Sequence, residues 1–187
     1  MAEPQTMLVR KALLSDVKPL LELINGYASQ GIMLPRTEFE LSENIRDFTV
    51  AVQAAQVVGC GALHFYGPKT GEIRSLAVHP ERMHLGVGKR LMEALESEAA
   101  AHGLHALFAF TYVPGFFSKL NFLEVERQQL PSKVWKDCLR CPKLHCCDEI
   151  AMQKVLAPPD AAAPIWGDIA GANGATFLPI LAKQKPL

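Results

Sequence analysis

The chain has 187 residues and equal numbers of basic and acidic side chains, 19 Lys+Arg against 19 Asp+Glu. A neutral chain is not drawn electrostatically to nucleic acid or to an anionic membrane, so we expect neither as a partner. Hydrophobic residues make up 49% of it, which is typical of a globular chain. Residues 1–10 lack a signal-peptide pattern, and no apolar run reaches the roughly 20 residues of a membrane helix. We therefore expect a cytoplasmic protein.

Composition divides the chain near Leu156. Residues 1–156 mix apolar, charged and turn-forming residues as a folded domain does. Residues 157–187 are rich in Pro, Ala and Gly and carry few charges, which predicts a poorly ordered tail. The sequence therefore predicts one domain followed by a tail.

The domain reads as strands and helices in a clear order. A strand over residues 7–12 precedes a helix for which Ser15 is the expected N-cap and which ends before Gly31. Thr37 and Glu40 form a capping box at the start of a second, short helix. The remaining strands are predicted over residues 48–53, 57–66, 72–78, 104–111, 122–126 and 149–155, and the remaining helices over 87–102 and 114–120. This pattern predicts an α/β fold with a mixed sheet and helices on its faces.

A glycine-bearing turn between the predicted strand 72–78 and the next helix is the strongest local signal. Gly86-Val87-Gly88 allows backbone N–H groups to approach an anion, and the helix N-terminus adds partial positive charge. With Lys89 nearby, the turn suits a pyrophosphate. The third glycine of the dinucleotide fingerprint is absent because Leu91 occupies its position. An ordinary capped turn is the alternative interpretation.

The turn resembles the acetyl-CoA-binding motif of the GNAT superfamily of N-acetyltransferases. More narrowly, the chain resembles the short bacterial N-acetylglutamate synthases, which lack an amino-acid-kinase domain. The segments that carry this resemblance are residues 30–36, 47–50, 116–122, 130–131 and 138–152. The resemblance implies the GNAT acyl-CoA N-acyltransferase fold, with a mixed, mostly antiparallel sheet flanked by helices. It also implies that an amine, the α-amino group of L-glutamate, attacks acetyl-CoA directly in the first step of arginine biosynthesis.

The same resemblance implies a set of contacts to the co-substrate. These residues are Leu76, Ala77, Val78, His84, Leu85, Gly86, Val87, Gly88 and Lys89. A splayed strand would direct the Val78 N–H at the acetyl oxygen. Phe117 stands where many relatives have a tyrosine that protonates the departing thiolate, so Tyr112 and Ser118 are alternative donors. Met83 replaces a common Arg or Gln, which predicts weaker charge assistance at the phosphates.

The acceptor requires a base for its α-ammonium and cations for its two carboxylates. Glu72, at the start of a strand, is the candidate base, and an exposed strand-end carboxylate is the alternative interpretation. Arginine binds carboxylate in a bidentate manner. Arg36 and Arg74 match the family pattern best, and Arg10 is a third candidate. A strand arginine such as Arg74 could equally belong to a solvated face.

Four cysteines, Cys138, Cys141, Cys146 and Cys147, lie close together and have partial zinc-ligand spacing. Because two of them are adjacent, we favour a structural or redox role for the loop over a zinc site. Two further functions stay open. The chain could acetylate another small amine such as glutamine, or it could be a catalytically weak CoA-binding or thiol-based sensor. A homodimer is an expectation by analogy only.

Overall fold

A computed structural model describes residues 6–130, 139, 141, 143 and 146–156. The strands are β1 (Leu8–Lys11), β2 (Phe48–Gln53), β3 (Gln56–Phe65), β4 (Thr70–Val78), β5 (Ala106–Thr111), β6 (Leu123–Glu124) and β7 (Ile150–Val155). The helices are α1 (Val17–Ala28), α2 (Glu38–Glu43), α3 (Val87–Ala101) and α4 (Pro114–Ser118). The predicted tail over 157–187 lies outside the described residues. None of the described helices combines the length and apolar composition needed to cross a membrane.

The seven strands form one sheet in the order β1-β2-β3-β4-β5-β7-β6. Among the described strands, β4 and β5 are the parallel pair, and every other neighbouring pair is antiparallel. The predicted mixed, mostly antiparallel sheet is therefore confirmed.

The parallel pair separates part of the way along its length. Pairing runs through Thr70↔Ala106 and Gly71↔Leu107 and stops at Glu72↔Phe108. Both strands continue past this rung, β4 to Val78 and β5 to Thr111. A wedge-shaped opening therefore lies between β4 and β5, with Glu72 at its apex.

Helix α3 packs on one face of the sheet, and α1 and α2 pack on the other. On the α3 face, Leu95 and Met92 are buried against residues of β3, β4 and β5. Gly59 of β3 permits this close approach, because a Cβ there would lie 2.9 Å from Val87 Cγ1. On the opposite face, Leu20 and Ile24 of α1 are fully buried against the sheet.

A bulge in β4 at Ser75 changes which face its side chains occupy. Ser75 has a φ of +47°, and the register with β3 shifts at this point. Ile73, Leu76 and Val78 consequently all pack with buried residues of the α3 face. Strict alternation from Ile73 would have placed Leu76 and Val78 on the opposite face. Glu72 and Arg74, which precede the bulge, lie on the α1 face.

The helix boundaries test the local sequence signals. The Thr37 capping box is confirmed, since the Glu40 N–H donates to Thr37 Oγ1 at 3.2 Å and the Thr37 N–H donates to Glu40 Oε2 at 2.9 Å. The prediction for Ser15 is wrong, because α1 begins at Val17 and Ser15 lies inside a 3₁₀ turn. The physical reason is Asp16, whose carboxylate accepts the Leu13 N–H at 2.7 Å and organises that turn.

Candidate active site

The start of α3 forms an open cradle of backbone N–H groups. Gly86, which precedes the helix, has a φ of +80°, a conformation that a glycine adopts without strain. The Arg90 N–H donates to the Gly86 carbonyl at 3.1 Å and closes the first helical hydrogen bond. The N–H groups of Val87, Gly88 and Lys89 precede it, so helix geometry gives them no acceptor within the helix. This geometry leaves them available to an anion, and their contact with a pyrophosphate stays a prediction.

Charged side chains and an open groove surround this cradle. Lys89 is exposed and lies 3.7 Å from Glu93, and Arg90 donates to the Met7 carbonyl at 3.3 Å. His84 and Leu85 are exposed in the preceding loop, where His84 has a φ of +63°. A groove of about 560 Å³ begins here and is lined by Thr6, Met7, Gln53, Leu85, Gly86, Val87, Lys89, Arg90 and Glu93. The cradle is therefore accessible from solvent.

The unpaired edge of β4 presents backbone groups to the wedge. The His79 N–H donates to the Val58 carbonyl of β3 at 2.8 Å. Because peptide groups alternate along a strand, the Ala77 N–H also faces β3, whereas those of Leu76 and Val78 face the opening. The Val78 carbonyl accepts from the Tyr27 hydroxyl at 2.6 Å, which places the end of α1 beside the same edge. The predicted donor Val78 thus faces the wedge, and Leu76 does so as well.

Glu72 and Arg74 form a buried ion pair at the apex of the wedge. Arg74 Nε donates to Glu72 Oε2 at 2.6 Å, and the two side chains are only 15% and 11% exposed. Arg74 Nη2 also donates to the Tyr66 hydroxyl at 2.5 Å. Burial, followed by the charge of Glu72, raises the pKa of Tyr66 well above its usual range. Neither alternative interpretation holds, because Glu72 is not an exposed carboxylate and Arg74 is not on a solvated face.

A histidine of β3, His64, also belongs to this cluster. His64 lies directly opposite Glu72 in the pairing of β3 with β4. Its Nδ1 is 2.8 Å from Asp47 Oδ2, and its ring packs edge-on against Tyr66 at 5.3 Å. Asp47 ends the turn before β2, so only the register of the β2–β3 hairpin brings it to His64. The contact between Asp47 and His64 could have been predicted only from the way β2 pairs with β3.

A second charged group lies across β5 on the same face. Arg127 donates to the Glu149 carbonyl oxygen, and its guanidinium carbon lies 5.5 Å from the centre of the Phe110 ring. Burial raises the pKa of the Glu149 carboxyl, and the charge of Glu72 raises it further, although Arg127 opposes this. Glu72 and Glu149 are therefore close enough to influence each other. Sequence reasoning singled out neither Arg127 nor Glu149.

The three predicted arginines lie on different elements. Arg74 is at the apex, and Arg36 lies in a loop that Asn25 of α1 fixes through two hydrogen bonds of 2.9 Å to the Arg36 backbone. Arg10 is on β1, with β2 and β3 between it and β4. It is bound to Asp16 through two contacts of 2.6 and 3.1 Å, so the structure does not bring it to the site.

The two alternative proton donors lie apart from the apex. The Tyr112 hydroxyl, just after β5, donates to Asp148 Oδ1 at 2.8 Å and accepts from Lys143 Nζ at 3.0 Å. The Ser118 hydroxyl is exposed and donates to the Pro114 carbonyl within α4 at 3.1 Å. Phe117 is only 3% exposed and belongs to the core, so it does not face the wedge as a reactive side chain would.

The cysteine cluster is only partly described. Cys138 lies outside the described residues, Cys141 and Cys147 are half-buried and Cys146 is exposed. Cys147 Sγ lies 3.0 Å from Arg127 Nη2 and 3.8 Å from Glu149 Oε2. Over the described part of the chain, no group of three or more His, Cys, Asp or Glu side chains is arranged to hold a metal ion. The less favoured zinc site stays an untested prediction.

Comparison with known proteins identifies the class to which this fold and cradle belong. The Acetyltransferase (GNAT) family matches residues 18–124, and the chain belongs to that family. Over 148 residues it is 44% identical to an uncharacterised N-acetyltransferase of Chlorobaculum tepidum, covering 79% of this chain and 96% of that protein. Over 133 residues it is 38% identical to the amino-acid acetyltransferase of Pseudomonas fluorescens, covering 70% of this chain. The chain spans only 31% of that relative's length.

Solved structures agree with this assignment. The N-acetylglutamate synthase of Neisseria gonorrhoeae, in complex with coenzyme A and N-acetyl-glutamate, superposes with a TM-score of 0.75 at 26% identity. The match covers 84% of this chain and 37% of that one. A Mycobacterium tuberculosis protein in complex with CoA gives a TM-score of 0.71 at 30% identity, covering 80% of this chain and 99% of that one. The predicted GNAT fold is confirmed, and the coenzyme A in both neighbouring structures agrees with the predicted acetyl-CoA co-substrate.

Proposed function

We propose that the protein transfers the acetyl group of acetyl-CoA to the α-amino group of L-glutamate, as in the first step of arginine biosynthesis. The observation that carries the proposal is the buried Glu72–Arg74 pair at the apex of the wedge, which offers a carboxylate base beside a carboxylate-binding cation. The amino-acid acetyltransferase and N-acetylglutamate synthase relatives support an amino acid as the acceptor.

The co-substrate fits the cradle and the open edge of β4. The N–H groups of Val87, Gly88 and Lys89 would hold its pyrophosphate, with His84, Leu85 and Gly86 forming the loop beside it. The edge of β4 over Leu76–Val78 would then bind the amide groups of the pantetheine arm. Gly88 matters for the shape of this entrance, because a Cβ there would lie 3.3 Å from the Phe116 ring of α4.

Strand geometry favours Leu76 over Val78 as the N–H donor to the acetyl oxygen. Val78 lies beside the cradle, since a Cβ on Gly88 would be 3.7 Å from Val78 Cγ2. Glu72 is six residues away from Val78 along β4, which is about 20 Å in an extended strand. One thioester therefore cannot accept a hydrogen bond from the Val78 N–H and also lie beside an amine that Glu72 deprotonates. Leu76 is four residues from Glu72, about 13 Å before the bulge shortens the path. The arm therefore extends from Val78 towards Leu76 and the apex.

The reaction then needs few groups. Arg74 and Arg36 bind the carboxylates of the acceptor, and Glu72 takes a proton from its α-ammonium. The neutral amine attacks the acetyl carbon, and the Leu76 N–H stabilises the negative charge that develops on the acetyl oxygen. The C–S bond breaks and the thiolate leaves. A free thiol has a pKa near 8.5, so this departure does not require a strong acid. Tyr112 stays a predicted donor, and its hydroxyl would first have to leave Asp148, to which it donates at 2.8 Å.

The decisive experiment is mass-spectrometric detection of N-acetylated products with acetyl-CoA and a panel of amino acids. Five protein cysteines make thiol-reactive dyes unsuitable. We expect N-acetylglutamate to dominate over N-acetylglutamine and N-acetylaspartate, and Arg36→Ala to raise the KM for glutamate with little change in that for acetyl-CoA. Arg46→Ala, which removes an exposed arginine, is the matched control. Binding of acetyl-CoA without acetylation of any amino acid would refute the proposal.

A further inference from the structure

Each acetyl transfer leaves one proton on the buried carboxyl group of Glu72, and this proton must be removed before the next cycle. An α-ammonium carries three N–H bonds, and the amide product keeps one of them. When the N–C bond forms and the C–S bond breaks, one proton passes to the thiolate and completes the thiol. The other must leave the protein. This step rests on the proposed role of Glu72, whose side chain is 11% exposed and cannot easily return a proton to solvent directly.

His64 is placed to receive that proton. It is the cross-strand neighbour of Glu72 on the same face of β3 and β4. Directly opposite residues in an antiparallel pair have Cβ atoms about 5 Å apart, so imidazole and carboxyl group are within reach directly or through one water molecule. The imidazole side chain is 31% exposed, so His64 bridges the buried apex and solvent.

Asp47 fixes the orientation of the imidazole. Its Oδ2 lies 2.8 Å from His64 Nδ1, which selects the tautomer with the proton on Nδ1. Nε2 is then the nitrogen with a lone pair for an incoming proton. Asp47 is itself 30% exposed, and its negative charge stabilises the imidazolium while it exists.

We infer that His64, oriented by Asp47, relays the proton from Glu72 to solvent after each acetyl transfer. The O–H bond of the Glu72 carboxyl breaks as an N–H bond forms on His64 Nε2, and the imidazolium then gives this proton to water. Glu72 is thereby returned to the carboxylate that the next ammonium needs. No oxidant or further reactant is involved.

Charged groups from the neighbouring elements surround this relay, and the Glu149 carboxyl, just before β7, is close enough to influence Glu72. Asp47 comes from the 3₁₀ turn before β2, and Glu72 and Arg74 come from β4. Tyr66, just past the end of β3, contacts both the His64 ring and the Arg74 guanidinium. Because Arg74 is already paired with Glu72, its positive charge is offset at the point where the imidazolium forms.

The test compares His64→Gln and Asp47→Asn with wild type and with His102→Gln, which replaces an exposed histidine at the end of α3. Initial rates of product formation are measured by mass spectrometry from pH 5 to 9 in buffers of varied concentration. We expect His64→Gln to lower kcat at least about tenfold without changing the KM for acetyl-CoA. The dependence of kcat on pH should also differ between this variant and wild type, because the group that accepts the proton from Glu72 has been removed. Added imidazole should restore kcat in this variant alone.

The outcomes separate the relay from the function on which it rests. If Glu72→Gln is impaired while His64→Gln keeps the wild-type kcat and pH profile, the relay is wrong and the proposed function stands. A loss of kcat in His64→Gln that no imidazole concentration restores assigns His64 a structural role and also overturns the relay. If wild type acetylates no amino acid, the proposed function itself fails.

Discussion

Replacing Glu72 by glutamine is the substitution that tests the proposed base most directly. Glutamine has the same shape and keeps an oxygen that can accept from Arg74 Nε, which now donates to Glu72 Oε2 at 2.6 Å. The cradle at α3 and the Leu76 edge of β4 are untouched. We therefore expect co-substrate binding to persist while proton removal from the acceptor fails.

The expected size of the effect follows from the chemistry and the burial. Loss of a positioned general base lowers kcat by about 10²- to 10⁴-fold, which is about 3–5 kcal/mol of activation free energy. Arg74, whose side chain is 15% exposed, loses a charged partner in a largely buried place. A charge-assisted hydrogen bond contributes about 1.5–3 kcal/mol, so the free energy of unfolding should fall by about that much or less. For a domain of this size the midpoint of thermal unfolding falls by about 2–4 °C per kcal/mol.

The assay measures kcat with saturating acetyl-CoA and glutamate, together with the CoA dissociation constant and the thermal midpoint. Glu98→Gln is the control, because Glu98 of α3 also accepts from a cation, Lys11 Nζ, at 2.8 Å but lies outside the site. That variant should keep the wild-type kcat. A folded Glu72→Gln protein with a kcat within about threefold of wild type would show that Glu72 is not the base.

Three further predictions concern stability and reactivity. Arg10 holds the pKa of the buried Asp16 below its usual value, so this pair stabilises the fold above about pH 4 and its contribution is lost as pH falls through the lowered pKa. Asp16→Asn should therefore lower the free energy of unfolding by about 1–3 kcal/mol at pH 7 and flatten its acid dependence in denaturant titrations. The added Cβ of Gly59→Ala would lie 2.9 Å from Val87 Cγ1 and 3.1 Å from a backbone oxygen, so this variant should lower the free energy of unfolding by about 1–3 kcal/mol in the same titrations. Gly26→Ala, whose Cβ would lie in open space on α1, should raise the free energy of unfolding by about 0.5–1 kcal/mol. Burial raises the pKa of the Cys60 thiol to about 12, so alkylation at pH 8 followed by peptide mapping should label the exposed Cys146 and leave Cys60 unlabelled until unfolding.

Elements that depend on neighbouring residues could be predicted from the sequence. The Thr37–Glu40 capping box begins α2 as expected, and Gly103, with a φ of +70°, follows the end of α3. Such signals act within one turn of helix, so they need no knowledge of tertiary structure. The prediction of Ser15 as the N-cap of α1 was wrong because a tertiary contact decides where this helix begins. The adjacent Asp16 is held by Arg10 from β1, and this tertiary ion pair overrides a local capping preference.

The candidate site was only half predictable because its members come from separate strands. The cradle lies on one continuous segment, so the sequence showed it directly. The Asp47–His64 contact depends on how β2 pairs with β3, and the Arg127–Glu149 contact depends on a short turn lying beside the start of β7. The sequence shows the residues but not these pairings. Arg10 was the converse case, a suitable residue type that the strand order places away from β4.

Under the proposed function, the bulge at Ser75 lets one strand serve two substrates. Before it, Glu72 and Arg74 lie on the α1 face, where the acceptor would bind. After it, the side chains of Leu76 and Val78 pack on the α3 face beside the helix that carries the cradle. The shift occurs between Glu72, the proposed base, and Leu76, the proposed N–H donor to the acetyl oxygen. A regular strand would have turned the Leu76 side chain towards the proposed acceptor site. The strained φ of +47° at Ser75 therefore separates the two proposed binding surfaces within a few residues of each other.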